Sequence, residues 1–166
     1  MNIKKLIALT FIISQFAISC NAVVKNIPLE SKETTIAQEE AAILQVLNAE
    51  TKAAFGRDYN AWQTYWVKDT TITKIYIDFS KNTSSEMIGW EKINVFVKTF
   101  MEKNPKPDPL PELIHNLDVR LYGTGGWVTY KQLDATRGQK KETRLMEKVH
   151  GVWKIAGMTT VIYGFE

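Results

Sequence analysis

The chain has 166 residues, with 21 basic and 18 acidic side chains, a formal net charge of +3 and one cysteine. It contains no basic block interleaved with aromatic residues, which argues against nucleic acid as a partner. A single cysteine cannot form a disulfide within the chain.

The first 20 residues have the proportions of an export signal. Lys4 and Lys5 precede a mostly apolar run over 6–18, which is shorter than the roughly 20 apolar residues needed to cross a bilayer. The run ends in AISC at 17–20, which resembles a bacterial lipobox, in which the cysteine is lipid-modified and becomes the new N-terminus. The alternative is an ordinary cleaved signal with a chance cysteine. We therefore expect a bacterial cell-envelope protein, exported and held to the membrane by lipid on Cys20.

Removal of this signal changes the composition of the remaining chain. The signal contains two basic and no acidic residues, so 19 basic and 18 acidic residues remain, a net charge of +1. The 146 residues after Cys20 are enough for one domain with a core. Residues 21–34 are polar without a sustained period and predict a flexible tether. The folded domain is expected over 35–166.

Two helices are predicted at the start of this domain. Thr35 and Gln38 have the spacing of a capping box, and apolar residues then recur at helical intervals up to residue 55. GRD at 56–58 ends the helix, and Asp58 is suited to cap a second, short one. This second helix carries YNAWQTYW at 59–66, whose four aromatic residues lie close to one stripe.

A strand, a loop and a third helix follow. TTITKIYI at 70–77 is rich in β-branched residues and predicts a strand, and KNTSS at 81–85 predicts a loop. WEKINVFVKTFMEK at 90–103 has one apolar face at helical spacing. The prolines of 104–111 predict an extended loop, because proline interrupts helices and lacks the ladder donor of a strand.

The C-terminal third predicts four strands joined by short turns. The expected strands are 114–122, 127–133, 141–149 and 152–163. Helices grouped ahead of an antiparallel sheet are typical of an α+β domain.

Four phrases extend this interpretation to a family. They are AETKAAFGRDYNAWQTYWVKDTTIT, MIGWEKINVFV, GGWVTYKQL and TRLMEKVHGVWKIAGMTT. Their order and spacing resemble the nuclear-transport-factor-2-like (NTF2-like) superfamily, specifically its polyketide-cyclase-like (SnoaL-like) branch. The resemblance implies a cone-shaped cystatin-like roll: a strongly curved antiparallel sheet packed on three N-terminal helices, with a cavity at the open end.

The resemblance also suggests which side chains line that cavity. The predicted ligand pocket consists of Trp62, Trp66, Trp90 and Tyr130 as apolar surface, with His115 as a polar anchor. His115 shares a strand phase with apolar residues, which predicts an inward side chain. The expected ligand is a small apolar or aromatic molecule. The alternative is that the aromatic stripe is ordinary core and that His115 is a core histidine with one partner.

An enzymatic function of isomerase or cyclase type is a second hypothesis. Tyr76 and Asp78 share a strand face, and ketosteroid-isomerase-like members of the superfamily pair an acid with a phenol. A buried Asp78 with a raised pKa, or His115, would then move a proton next to a carbonyl. Lys74 on the same face instead favours a solvated strand end. Arg144 could bind a ligand carboxylate, but its phase relative to Glu147 predicts a cross-strand partner on the outer face.

Several other functions lack the residues they require. The two histidines lie far apart and form no zinc motif, so no metal site is expected. Residues 123–128 do not complete a dinucleotide-binding glycine motif, and no cofactor is expected. A third hypothesis is a non-catalytic interaction module that forms a homodimer through the convex sheet face.

Overall fold

The computed structural model describes residues 29–165, with side chains from residue 35 onward. The predicted signal peptide, Cys20 and most of the predicted tether lie outside this range. The helices are α1 (Leu29–Phe55), α2 (Tyr59–Trp62) and α3 (Trp90–Lys103), with a 3-10 turn at Gln63–Tyr65 after α2. None of the helices in the described range combines the length and apolar character that a membrane-spanning helix requires.

The helix boundaries agree with the sequence in part. Asp58 caps α2 as predicted, because its carboxylate accepts a hydrogen bond of 2.9 Å from the Ala61 backbone N–H. Thr35 is not the cap of α1, since the helix begins earlier, at Leu29. The glycine that ends α1 has a steric reason, because a Cβ on Gly56 would lie 2.9 Å from the carbonyl oxygen of Lys52. The prediction of α3 is confirmed over its whole length.

Six strands form one curved sheet. They are β1 (Thr73–Asp78), β2 (Thr83–Ile88), β3 (Asp118–Tyr122), β4 (Gly125–Asp134), β5 (Gly138–Val149) and β6 (Val152–Gly164). Their order is β2-β1-β6-β5-β4-β3. The α+β prediction is confirmed, but the sheet is mixed, because β1 and β6 are parallel while the other pairs are antiparallel.

The predicted loop at 81–85 is wrong, since β2 occupies most of it. β2 is an edge strand, and nearly all of its side chains are exposed. An edge strand whose side chains are exposed on both faces needs little apolar patterning, so its polar composition is also typical of a loop. The strand predicted at 114–122 is shorter than expected, because β3 begins at Asp118. Residues 104–117 form neither helix nor strand.

The apolar core lies between α1 and the middle of the sheet. Ile43 and Leu47 of α1 are fully buried, as are Val128 on β4 and Ile155 on β6. Met146 on β5 joins them with 1% of its surface exposed. This core closes one end of the roll. At the other end, the last turns of α1 and the beginning of β5 leave space, and the candidate site lies there.

Candidate functional site

The last turns of α1 place an acidic side chain inside the roll. Glu50 is 3% exposed, and its Oε1 accepts hydrogen bonds from the indole N–H of Trp62 at 2.8 Å and of Trp66 at 3.1 Å. Burial raises the pKa of Glu50, but the positive charges of Arg144 and Lys74 and the two indole hydrogen bonds lower it by more. The pKa of this carboxyl therefore lies below its ordinary value, and Glu50 is a buried anion.

The aromatic stripe of 59–66 forms a packed layer around this carboxylate. The Trp62 and Trp66 ring centroids are 5.6 Å apart, and Trp62 stacks on Trp90 at 6.0 Å and on Tyr59 at 6.2 Å. Both central tryptophans are 1% exposed. The stripe is therefore mainly core, and its indole N–H groups orient Glu50.

The inward face of β5 carries three charged side chains in succession. Lys140, Glu142 and Arg144 are all at most 5% exposed. Glu142 accepts a hydrogen bond of 2.8 Å from the Thr160 hydroxyl, and its carboxylate lies 3.8 Å from Lys140 Nζ and 3.4 Å from Arg144 Nη2. Alternating charge along one strand face thus builds a buried ionic cluster.

Arg144 lies at the centre of this cluster. Its Nε donates to the Tyr130 hydroxyl at 3.2 Å, and its Nη1 is 3.8 Å from Glu50 Oε2. Burial lowers the pKa of this guanidinium, but Tyr130, Glu142 and Glu50 more than offset it, so the pKa is raised. Burial raises the pKa of the Tyr130 phenol, which remains protonated at neutral pH.

A second acidic centre closes the cluster at the β4–β5 turn. Asp134 is 1% exposed, and its Oδ1 accepts from the backbone N–H and the hydroxyl of Thr136 at 2.9 and 2.8 Å. Its Oδ2 lies 2.9 Å from Arg137 Nη2 and 3.3 Å from Lys140 Nζ. Burial raises the pKa of Asp134, yet these donors and cations lower it overall to about 2.

Two connected chambers lie beside the cluster. The inner chamber has a volume of about 50 Å³, and its charged walls are Glu50, Lys74, Arg137, Lys140, Glu142 and Arg144. The outer chamber has a volume of about 530 Å³ and includes the apolar residues Phe55, Trp62, Tyr76, Phe96, Phe100 and Ile162 in its wall. Lys74, Tyr76, Phe55, Ala54 and Arg137 line both chambers, which therefore meet at these side chains.

The predicted pocket residues occupy different layers. Trp62 lies in the wall of the outer chamber. Trp66, Trp90 and Tyr130 line neither chamber and pack or hydrogen-bond behind the residues that do. The prediction that Trp66, Trp90 and Tyr130 form the pocket wall is therefore corrected, because these residues lie behind the wall and support it.

The expectation that His115 points inward is wrong. The residue is exposed and precedes β3, so it has no strand phase at all. Its neighbour Ile114 is the buried one, at 3% exposure, and exchanges backbone hydrogen bonds with the Asn48 side chain. The local chain is thus fixed by an asparagine on α1, and alternation predicted from strand geometry does not apply.

The prediction that Asp78 has a raised pKa is also wrong. Asp78 and Tyr76 do line the outer chamber. However, the Ser80 hydroxyl donates to Asp78 Oδ1 at 2.6 Å, and the Lys81 N–H donates at 3.1 Å. The Ser80 hydrogen bond is the largest cause that holds the pKa of Asp78 below its ordinary value. A carboxylate stabilised in this way is a weak base, and the raised pKa required for the acid–phenol pairing is absent.

Two further interpretations of charged residues are corrected. Lys74 is 4% exposed, so it does not mark a solvated strand end. Arg144 faces the interior and not the outer surface, where Glu147 is exposed. The outward side chains of β5 include Leu145, so hydrophobicity did not distinguish the two faces. The alternating charges at 140, 142 and 144 were the available signal.

No group of three or more potential metal ligands occurs in the described part of the chain.

Comparison with known proteins identifies solved structures that share this architecture. No protein-family model and no curated protein matches the sequence. A cystatin-like fold protein from Burkholderia xenovorans LB400 matches 82% of this chain and 97% of its own, with 17% identity and a TM-score of 0.58. An NTF2-like protein of unknown function from Shewanella baltica OS155 matches 75% and 93%, with 17% identity and a TM-score of 0.54. An NTF2-like superfamily protein from Salmonella enterica serovar Typhimurium LT2 matches 81% and 94%, with 16% identity and a TM-score of 0.56.

The chain has the NTF2-like fold. This agrees with the resemblance carried by the four sequence phrases, and at such identities the likeness establishes the fold alone. In this NTF2-like roll, the chambers lie between α1, α3 and the concave face of the sheet.

Proposed function

We propose that the protein binds a small, partly apolar molecule in the outer chamber of its NTF2-like domain. The observation that carries this proposal is the chamber of about 530 Å³, bordered by aromatic rings and continuous with buried polar groups. Binding sites for small ligands commonly have volumes of about 300–1,000 Å³, with apolar walls and a few polar groups. A purely structural core has no need for such a space beside charged side chains.

The same site gives less support to proton-transfer chemistry. Asp78 is held as a stable carboxylate, and His115 lies on the surface. Within the inner chamber the carboxylates of Glu50 and Glu142 are bonded to indole or hydroxyl donors and are close to Arg144. These contacts favour fixed charges, which suit binding and orientation.

We also propose that the protein is exported and lipid-anchored in a bacterial cell envelope through Cys20. The support is the basic pair, the apolar run and AISC at 17–20. The intact mass of the protein from membranes should correspond to a lipid-modified chain that begins at Cys20. Cleavage elsewhere, or a free thiol at Cys20, would contradict this anchor.

A homodimer through the convex sheet face is a second candidate interaction. Trp127 and Leu145 are Cα partners on neighbouring strands, and each is 47% exposed on this face. Exposed apolar side chains that adjoin one another are typical of interaction surfaces. Sedimentation analysis should show a dimer that Trp127→Lys dissociates, whereas a monomeric wild-type protein would contradict the hypothesis.

The ligand proposal is tested by native mass spectrometry on protein purified gently from cells. Ser85 lines the outer chamber, while its neighbour Ser84 on the same edge strand does not. Successive side chains of a strand point to opposite faces, so Ser85→Phe and Ser84→Phe form a matched pair.

We expect an adduct on the wild type and on Ser84→Phe that is lost on denaturation and is absent from Ser85→Phe. A bare wild-type protein, or an adduct that Ser85→Phe retains equally, would overturn the proposed binding in the outer chamber.

A further inference from the structure

The buried charged side chains around the inner chamber are balanced in number. The cations are Lys74, Lys140 and Arg144, and the anions are Glu50, Asp134 and Glu142, while the Arg137 side chain at the edge of the chamber is 31% exposed. A buried charge without a counterion is unfavourable by several kcal/mol. A buried cation without a carboxylate beside it therefore suits a ligand that brings a negative charge.

Lys74 is the cation left without a direct carboxylate. Its Nζ lies 3.2 Å from the Met158 sulfur and 4.7 Å from the centroid of the Trp66 ring. Within the described chain it forms no ion pair within 4.0 Å, whereas the other cations around the inner chamber each do. Lys74 also lines both chambers, so its ammonium group is placed where a ligand would pass from the outer to the inner one.

Arg144 provides a second, independent indication. Its Nη1 is buried and has no hydrogen-bond partner, the one such side-chain atom found among the described residues. Buried guanidinium groups in folded proteins normally satisfy their donors, because an unpaired donor costs about 1–3 kcal/mol or more. Arg144 is 5% exposed and lines the inner chamber, so both observations concern the same small space.

We propose that the ligand is a small monocarboxylic acid whose carboxylate binds at Lys74, beside Arg144, and whose apolar body fills the outer chamber. This inference rests on the proposed function and specifies the chemical class of its ligand. A carboxylate supplies a direct counterion for Lys74 and accepts hydrogen bonds in the plane that an arginine presents.

The size and charge of the site favour a carboxylate over a phosphate ester. The inner chamber has only about 50 Å³ and already contains Glu50 and Glu142 in its wall. A phosphate monoester carries about −1.5 to −2 charges at neutral pH, which is more negative charge beside these two carboxylates than the single cation Lys74 offsets. The aromatic wall of the outer chamber, including Tyr76 and Phe96 with ring centroids 6.4 Å apart, suits a hydrocarbon or aryl body.

The test compares acids with neutral amides of the same shape. The probes are benzoate, 4-phenylbutyrate and octanoate, each paired with its primary amide. Binding is followed by calorimetry and by intrinsic tryptophan fluorescence, because Lys74 lies close to Trp62 and Trp66. We expect at least one acid to bind 10-fold or more tightly than its amide.

Variants assign this preference to Lys74. Lys74→Met should remove the preference for the acid, and Lys74→Arg should restore much of it. Lys98→Met is the matched control, since Lys98 also lies over an aromatic ring, 5.8 Å from the Tyr59 centroid, but is exposed and lines neither chamber. Lys98→Met should leave the preference unchanged.

The outcomes separate this inference from the proposed function. Equal binding of acids and amides, or an acid preference that survives in Lys74→Met, would overturn the carboxylate assignment while leaving a ligand-binding chamber. Absence of binding by every acid in the series would also overturn it. The broader proposal is then decided separately by the adduct that Ser85→Phe is expected to lose.

Discussion

The two ends of the roll use the same strands in opposite ways. At the closed end, Met146 of β5 is the Cα partner of Ile155 on β6, and both are at most 1% exposed. At the open end, two residues earlier on the same strand face, Arg144 is 5% exposed and belongs to an ionic cluster. Burial is nearly equal, but Met146 belongs to the apolar core, whereas Arg144 lies in the wall of the inner chamber.

This difference indicates what each end contributes. Packing apolar residues at the closed end stabilises the fold through burial and dispersion. A buried ionic cluster adds little net stability, because desolvation of the charges opposes their attraction. A chain selected only for stability would extend the closed end along the whole sheet, so the open end is best explained by a function in binding.

The largest effect is expected from loss of the Glu50 charge. Glu50→Gln would leave Arg144 and Lys74 less compensated and would weaken acceptance of both indole hydrogen bonds. Breaking one partner of a buried ion pair costs about 3–5 kcal/mol, and we expect a loss in this range from the free energy of unfolding. Denaturant unfolding measures it, with the partly exposed Glu40→Gln on the same helix as control. A loss no larger than that of the control would show that the cluster is not electrostatically coupled.

A change at the closed end should affect stability alone. Met146→Ala removes a side chain that is 1% exposed, and truncations of this kind cost about 2–5 kcal/mol. We expect a loss of about 3 kcal/mol without a change in the acid-to-amide affinity ratio. An altered acid-to-amide affinity ratio in a Met146→Ala protein that is still folded would show that the two ends do not act independently.

The third effect is a dependence of stability on acid pH. Because the pKa of Asp134 is lowered to about 2 in the folded protein, its contribution is present above the unfolded pKa near 4. The contribution is lost as the pH falls through about 2, and it amounts to about 2 kcal/mol. Asp134→Asn should flatten this part of the curve of unfolding free energy against pH. The exposed Asp118→Asn should leave it unchanged. An identical acid limb in Asp134→Asn and the wild type would contradict the assignment.

The smallest effect has the opposite sign. Lys74→Met removes the cation that lacks a carboxylate and places an apolar chain beside Met158 and Trp66. We expect the ligand-free protein to gain at most about 1 kcal/mol in stability, because the desolvation cost of the charge that is removed exceeds the attraction to Glu50 that is lost. Thermal unfolding without added acids measures the change. A clear loss of stability would mean that Lys74 has a structural role in the cluster.

Much of the fold could be predicted from the sequence. The regular apolar spacing of α3 and the turn residues between β4, β5 and β6 locate these elements. β2 was missed because an exposed edge strand carries no strong pattern. The position of His115 was misjudged because a hydrogen-bonded loop, and not a strand, precedes Asp118.

The candidate site was harder to predict than the fold. Trp62 was identified through its aromatic stripe, and the structure places it in the outer wall. Lys74, Glu142 and Arg144 were assigned to a solvated face or passed over, because charged residues are rarely buried unless they are paired. Their pairing depends on contacts between α1, β1 and β5 that no local spacing encodes.

The most direct test is a crystal structure of the protein as purified from cells, without added ligand. We expect electron density for a small molecule in the outer chamber, with a polar end that reaches Lys74. Chambers closed by the side chains of Tyr76, Phe96 and Phe100, with no space for a ligand, would contradict this expectation.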